Sequence, residues 1–188
     1  MKKYFLFIII CLSMSSFAQK DISSVKKVNF FGVDFSHANL YAFEETPEVI
    51  QTGLERINNL FINERKKFDI CKHYKIKSVE YCLETTNINN VKLPVEKTYS
   101  NPKYTELSNK QIKAIISELN CDSDDCGLVF IAENLNKPDK KAIFIIVFFD
   151  GRTKDIIYSK RASAKPTGFG VRNYWAGAIN SIIKKWKY

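Results

Sequence analysis

The apolar run from Ala142 to Phe149, AIFIIVFF, constrains the fold more than any other stretch of the chain. An uninterrupted apolar run rich in β-branched and aromatic side chains, followed by the turn dipeptide Asp150-Gly151, is typical of a buried strand. Segment 155–161 (DIIYSKR) then predicts a second strand, so the two strands form a β-hairpin. A glycine loop and a closing helix follow, and the helix carries apolar residues at helical spacing: Val171, Trp175, Ala178, Ile182 and Trp186.

Five more elements are predicted upstream of this hairpin from apolar periodicity and from capping signals. The first helix begins with Thr46-Pro47-Glu48, which combines a capping hydroxyl, a proline at the first helical position and an acid in the first turn. The second begins with a capping box formed by Ser108 and Gln111. The predicted elements are strand 28–35, helix 46–67, strand 75–84, helix 108–119 and strand 127–133.

This order, β-α-β-α-β-β-β-α, predicts an α+β fold with a mostly antiparallel five-stranded sheet and two or three helices packed on it. Residues 28–188 are expected to form a single α/β domain, which is the favoured domain count for a chain of 188 residues. Segment 85–105 is polar and contains prolines, which predicts a long loop.

The amino terminus has the pattern of a secretory signal peptide over residues 1–18. Lys2 and Lys3 precede an apolar core, and Ser16-Phe17-Ala18 is a small-x-small cleavage site, so cleavage is expected near Ala18. Residues 19–27 are then a polar, flexible lead-in. The mature chain is expected to have no transmembrane segment and to be exported to the periplasm or the extracellular space.

The formal net charge of +9 is spread along the chain. Proteins that bind nucleic acids concentrate positive charge on one face and usually carry a recognisable motif, so nucleic acid is not an expected partner.

Four cysteines remain after residue 18, and an even number in an exported chain favours disulfides. Four cysteines allow three connectivities, of which Cys121–Cys126 with Cys71–Cys82 is preferred because both pairs close short loops. Neither pair is a C-x-x-C, and the two histidines lack ligand spacing, so no metal or other cofactor is expected.

One acidic turn, CDSDDCG, partly matches a calcium-binding loop. Asp122 and Asp124 fall at the first and third loop positions and Glu133 at the twelfth, but Cys126 occupies a position that needs an oxygen ligand. The turn is therefore predicted to join a helix and a strand without binding calcium.

Two segments carry side chains that could bind or react with a small molecule. Asp34, Ser36 and His37 place an acid, a hydroxyl and an imidazole at the end of the first strand, although neighbours in sequence rarely form a catalytic triad. Gly168 to Arg172 open the last helix, where free backbone N–H groups and an arginine can bind an anion. The glycine loop is more simply a turn that lets the helix fold back on the sheet.

The order of elements, with GLVFIAE (127–133), AIFIIVFFD (142–150) and the amphipathic final helix, resembles small α/β domains of Gram-negative envelope proteins. These domains are of the TolB amino-terminal and curli-secretion lipoprotein types. The resemblance concerns topology alone, and the four cysteines and the long loop depart from it. It implies assembly or interaction work in the envelope and no catalysis.

The sequence therefore favours a non-enzymatic exported module that binds a protein or an envelope component, with homodimerisation as a possibility. The candidate contact residues are Arg172, Tyr174, Tyr99 and Tyr104. The alternative is a small-molecule or anion receptor, or a divergent hydrolase. It would use Asp34, His37 and the segment from Gly168 to Arg172, and it requires these segments to line one pocket.

Overall fold

The predicted hairpin forms one side of a mixed six-stranded sheet in the computed structural model, which describes residues 22–98 and 104–187. Residues 1–21, which include the predicted signal peptide, lie outside the described residues. The fold is α+β, as predicted. Its strands are β1 (Lys27–Asp34), β2 (Asn39–Tyr41), β3 (Ser78–Tyr81), β4 (Cys126–Asn136), β5 (Lys141–Phe149) and β6 (Ile156–Ala164).

Seven helices accompany these strands in the described part of the chain, together with a short 3-10 helix at Ile22–Ser24 that buries Ile22. None of the described helices is long and apolar enough to cross a membrane. The helices are α1 (Pro47–Glu55), α2 (Asn58–Asn63), α3 (Ile70–Tyr74), α4 (Glu84–Asn90), α5 (Val95–Thr98), α6 (Asn109–Ser117) and α7 (Gly170–Lys184).

The sheet has the strand order β3-β1-β4-β5-β6, and the short β2 also pairs with β4, beyond the end of β1. Pairs β1–β3, β1–β4 and β2–β4 are parallel, whereas β4–β5 and β5–β6 are antiparallel. The prediction of a mostly antiparallel five-stranded sheet was therefore wrong in its details. The helices that follow β1 carry the chain back so that β3 lies beside β1 and runs parallel to it. The apolar periodicity within a strand does not specify which strand it pairs with.

Two apolar layers sandwich the sheet. The larger layer contains Phe30, Phe61, Phe130 and Trp175 and lies beneath α1, α2, α3 and α7. The smaller layer lies beneath α6, which contributes Ile112, Ile115 and Ile116. Every residue of the run Ala142–Phe149 is buried, so the predicted buried strand is confirmed.

The predicted helix 46–67 is divided into α1 and α2, and much of the predicted loop 85–105 is helical, as α4 and α5. The sequence of α4, ETTNINN, lacks an apolar stripe because its buried side chains are polar: Thr86, Asn89 and Asn90. Hydrophobic periodicity therefore could not find this helix. The predicted capping box at Ser108 and Gln111 is confirmed.

Two buried asparagine side chains form hydrogen bonds with the part of β1 that β3 does not reach. Strand β3 pairs with β1 only as far as Phe30, and a register shift at Gly32 follows. Asn58 Oδ1 accepts a hydrogen bond from Val33 N at 2.7 Å, and Asn58 Nδ2 donates to Val33 O at 3.2 Å. Asn90 Nδ2 donates to Val33 O at 2.9 Å, and its Oδ1 accepts from Phe35 N at 2.6 Å. The amide side chains therefore satisfy backbone groups that would otherwise be buried without partners.

The described cysteines form one disulfide, Cys82–Cys121, with a Cα–Cα distance of 5.8 Å, and neither Cys71 nor Cys126 takes part in it. The preferred pairing Cys121–Cys126 with Cys71–Cys82 was therefore wrong. Cys121 packs against the layer beneath α6, whereas Cys126 packs against the opposite layer. Their short separation in sequence does not bring their sulfur atoms together, because the sheet lies between the two layers.

We expect removal of this disulfide to lower the free energy of unfolding by about 3–4 kcal/mol, because it closes a loop of 39 residues in the unfolded chain. Denaturant titration of the Cys82→Ser/Cys121→Ser variant measures the loss, and Cys71→Ser/Cys126→Ser is the matched control. Peptide mapping without reduction should recover a Cys82–Cys121 cross-link. A cross-link between Cys121 and Cys126 would contradict this assignment.

We also expect Asn58→Ala to lower the free energy of unfolding by about 3 kcal/mol, since it leaves the buried Val33 N–H without its partner and removes two further hydrogen bonds. Asn59, the next residue, is exposed, and Asn59→Ala should change stability by no more than about 0.5 kcal/mol. Equal effects of the two substitutions in chemical denaturation would show that the Asn58 amide has no special role.

Candidate interaction surface

Exposed apolar side chains concentrate around the amino-terminal half of α1. Among the described residues, five large apolar side chains are exposed: Val49, Ile62, Ile88, Val91 and Phe169. Three of them, Val49, Val91 and Phe169, line two grooves beside α1, and their exposed fractions are 51%, 63% and 94%. A cluster of this kind on a protein surface marks a contact site more often than scattered single residues do.

The first groove has a volume of about 450 Å³ and lies between α1 and the start of α7. Val49 and Gly53 of α1 face Phe169 and Val171 across it. A Cβ atom on Gly53 would lie only 2.7 Å from Val171 Cγ1, so glycine is what permits this close approach of the two helices. The floor of the groove is therefore set by a tight helix–helix contact.

The second groove has a volume of about 350 Å³ and lies on the other side of α1, against the segment that joins α4 to α5. Val91, Leu93 and Pro94 form its far wall. Gln51 Nε2 donates to Asn90 O at 2.8 Å and thereby ties α1 to the end of α4. Glu48 lines both grooves, so the first turn of α1 is a ridge between them.

Charges of both signs accompany the apolar groups. Arg56 and Arg172 line the first groove together with Glu48. A hydrogen bond from its own backbone N–H at the start of α1 lowers the pKa of Glu48, so its carboxylate is ionised at neutral pH. We call the surface formed by Glu48, Val49, Arg56, Val91, Phe169 and Arg172 the α1 face.

Among the residues predicted as contacts, Arg172 lies on the α1 face, where its Nε donates to Asn173 Oδ1 at 3.0 Å. Tyr174 is half-buried, and its ring centroid lies 5.1 Å from that of Trp175. Tyr104 is half-buried on the α6 side of the sheet, where burial and the nearby carboxylates of Glu133 and Glu106 raise its pKa. Tyr99 lies outside the described residues.

Phe169 is the most exposed apolar residue of the α1 face, and it was not among the contact residues predicted from the sequence. It stands between Gly168 and Gly170, which have φ values of +115° and +71°. These conformations favour glycine and orient the phenyl ring away from the core. An aromatic residue flanked by two glycines was the signal in the sequence, and this segment was interpreted as a turn or an anion-binding loop.

Asp34, Ser36 and His37 are in contact, but their order differs from that of a catalytic triad. Asp34 Oδ1 accepts hydrogen bonds from Ser36 N at 3.0 Å and from Ser36 Oγ at 2.5 Å. Ser36 Oγ lies 2.8 Å from His37 Nδ1. In a triad the acid orients the histidine, whereas here it binds the serine. The first groove, which contains Gly170 and Arg172, includes neither Asp34 nor His37.

Burial raises the pKa of Asp34, and hydrogen bonds from Ser36 oppose this effect in part. His37 also lowers the pKa and Glu118 raises it. Asp34 Oδ2 is buried and has no hydrogen-bond partner within the described part of the chain. The ionised form of Asp34 is therefore poorly accommodated.

An ion pair between a buried carboxylate and an exposed arginine lies on the α6 side of the sheet, and it was not predicted from the sequence. Arg161 Nη2 donates to Glu133 Oε1 at 2.9 Å and to Leu107 O at 2.7 Å, while Glu133 Oε1 accepts from Leu107 N at 2.7 Å. Glu133 therefore forms its ion pair far from the acidic turn. Within the acidic turn, Asp124 Oδ2 lies 2.8 Å from Arg152 Nη2. The pair anchors the chain entering α6.

Three potential metal ligands, from Glu80, Cys82 and Cys121, have atoms within 4.8 Å of one another. The disulfide uses both sulfur atoms, so this group offers a metal ion one exposed carboxylate while the disulfide is intact. The group is therefore not a metal centre in the oxidised protein.

We expect Asp34→Asn to make the protein more stable than the wild type at pH 7. The folded-state pKa of Asp34 lies above its unfolded value, so wild-type stability falls as the pH rises from about 3.8 through the folded-state pKa. The amide does not ionise, so the advantage of the variant should shrink as the pH falls below this window. Urea titrations between pH 3 and pH 7 measure this difference, with the exposed Asp122→Asn as control. An advantage independent of pH would contradict the prediction.

Comparison with known proteins leaves the chain without an assigned family. No family model, no curated protein and no solved structure matches it. The topological resemblance to envelope-assembly domains therefore stays a prediction, and function is inferred from the geometry of the chain itself.

Proposed function

We propose that this protein is a non-enzymatic, exported interaction module that binds another protein through the α1 face. The observation that carries the proposal is the concentration of Val49, Val91 and Phe169 on two grooves that share Glu48. An exposed phenyl ring in water is unfavourable unless a partner covers it, and aromatic residues and arginine contribute most strongly to binding at protein interfaces.

The chemistry of the α1 face defines the partner. Two apolar grooves on either side of a ridge accept two apolar side chains from one partner segment that crosses α1. Arg56 and Arg172 outnumber Glu48 in the first groove, so a carboxylate beside the apolar side chain is favoured. The partner is therefore a protein surface that combines large apolar side chains with at least one acidic residue.

Export is supported by the signal-peptide pattern of residues 1–18 and by the Cys82–Cys121 disulfide, because disulfides persist mainly in oxidising compartments. The absence of enzymatic activity is inferred from the arrangement of Asp34, Ser36 and His37. The alternative function as a receptor or divergent hydrolase has less support, because Asp34 and His37 do not line the groove of Arg172.

Site-specific photo-cross-linking tests this proposal. Benzoylphenylalanine is introduced at position 169 or 91 in cells that make the protein natively, and position 62 serves as a control because Ile62 is exposed but lines neither groove. We expect one discrete protein adduct from both positions of the α1 face and none from position 62. Arg172→Glu should weaken both cross-links.

Peptide mapping of the adduct should locate the cross-link in a segment with large apolar side chains and a carboxylate. Equal labelling from positions 169, 91 and 62, or adducts that persist unchanged in the Arg172→Glu background, would overturn the proposal.

A further inference from the structure

We propose that the partner on the α1 face is a second copy of this chain, joined in a twofold-symmetric dimer. Phe169 of each copy inserts into the first groove of the other. This inference rests on the proposed function and names the partner of the same surface. In a twofold interface one patch must be complementary to itself, and the α1 face meets this requirement in both shape and charge.

The shape requirement is met by Phe169 and the groove beside it. Phe169 is 94% exposed and stands at the edge of an apolar groove of about 450 Å³, which has room for a phenyl ring. Gly168 and Gly170 on either side of it have positive φ values, and the ring between them lies outside the core of its own chain. Each copy therefore presents a projecting ring and a receiving groove on the same surface, and a twofold axis exchanges the two.

The charge requirement is met by Glu48 and the arginines of the same groove. Glu48, Arg56 and Arg172 all line the first groove, so each copy offers both signs of charge, and in the proposed dimer Glu48 of each copy lies opposite Arg172 of the other. A strongly acidic partner is therefore not needed. Because the whole chain is positive, with a formal charge of +9, two copies repel at long range and associate only where local charges are complementary.

Strand β6 offers a competing surface for dimerisation that the charges disfavour. It lies at the end of the strand order, next to β5 alone, and its middle residues Ser159, Lys160 and Arg161 are exposed. Antiparallel pairing of two β6 strands about Lys160 would bring the Lys160 side chains of the two copies together, and like charges on neighbouring strands are destabilising. The α1 face carries both signs of charge, since Glu48 lies in the same groove as Arg56 and Arg172.

Sedimentation equilibrium of the purified protein, with its disulfide intact, tests the proposal. We expect a reversible monomer–dimer equilibrium, and Phe169→Ser should raise the dimer dissociation constant about tenfold or more, as for an interface hot spot. Ile62→Ser removes an exposed apolar side chain outside both grooves and should leave the dissociation constant unchanged. Circular dichroism verifies that each variant is folded.

A charge exchange provides the decisive measurement. Glu48→Arg and Arg172→Glu should each abolish the dimer alone, because each places like charges opposite one another at both symmetric contacts. An equimolar mixture of the two variants should restore dimerisation, because every contact again joins opposite charges. Lys110→Glu, an exposed charge change on α6, should leave the dimer intact.

The outcomes separate this inference from the proposed function. A monomer at all concentrations, a dimer that Phe169→Ser leaves unchanged, or a mixture that stays monomeric overturns the second-copy proposal. In that case a cross-link from position 169 to a different protein would still support the interaction module. An adduct at twice the monomer mass, mapped to the α1 face on both chains, supports both.

Discussion

The structure depends on the hydrogen bonds made by the backbone of β1 beyond the point where its neighbouring strand β3 ends. Val33 and Phe35 lie in the core, where an unpaired N–H or C=O group would cost about 1–3 kcal/mol. Asn58 from α2 and Asn90 from α4 provide the hydrogen bonds that a longer β3 would otherwise have provided. Gly32 makes the arrangement possible, since a Cβ atom there would lie 2.6 Å from Asn58 Oδ1. The hydrogen bonds of these two asparagines thus fix α2 and α4 against β1.

This constraint extends outward to the α1 face. The carbonyl of Asn90 accepts a hydrogen bond from Gln51, so the helix that completes β1 also positions α1. On its other side α1 is held by the contact of Gly53 with Val171. Contacts with the core therefore hold the walls of both grooves in place, so the grooves are preformed. A preformed surface loses less conformational entropy on binding than a mobile one, which favours recognition by few side chains.

The elements that sequence could predict are those whose signal lies within a few neighbouring residues. The buried strand Ala142–Phe149, the Ser108–Gln111 capping box and the start of α1 at Pro47 are of this kind. Parallel pairing of β1 with β4, the Cys82–Cys121 disulfide and the Asn58–Val33 contact each join distant residues, and no local pattern encodes them. Helix α4 was missed because its buried side is polar. For the candidate surface, Arg172 was predicted but Phe169 was not, because exposure depends on the path of the chain around Gly168 and Gly170.

The two sides of the sheet are stabilised differently, and this difference supports the α1 face as the proposed binding side. On the α6 side, the disulfide joins Cys121 to the end of β3, and the Arg161–Glu133 pair fastens the chain that enters α6. On the opposite side, described helices leave Val49, Val91 and Phe169 exposed beside two grooves. A covalent bond and an ion pair to the buried Glu133 carboxylate stabilise one layer without any partner. The layer under α1 and α7 contains most of the aromatic core and is also the one whose outer surface remains open to a second protein.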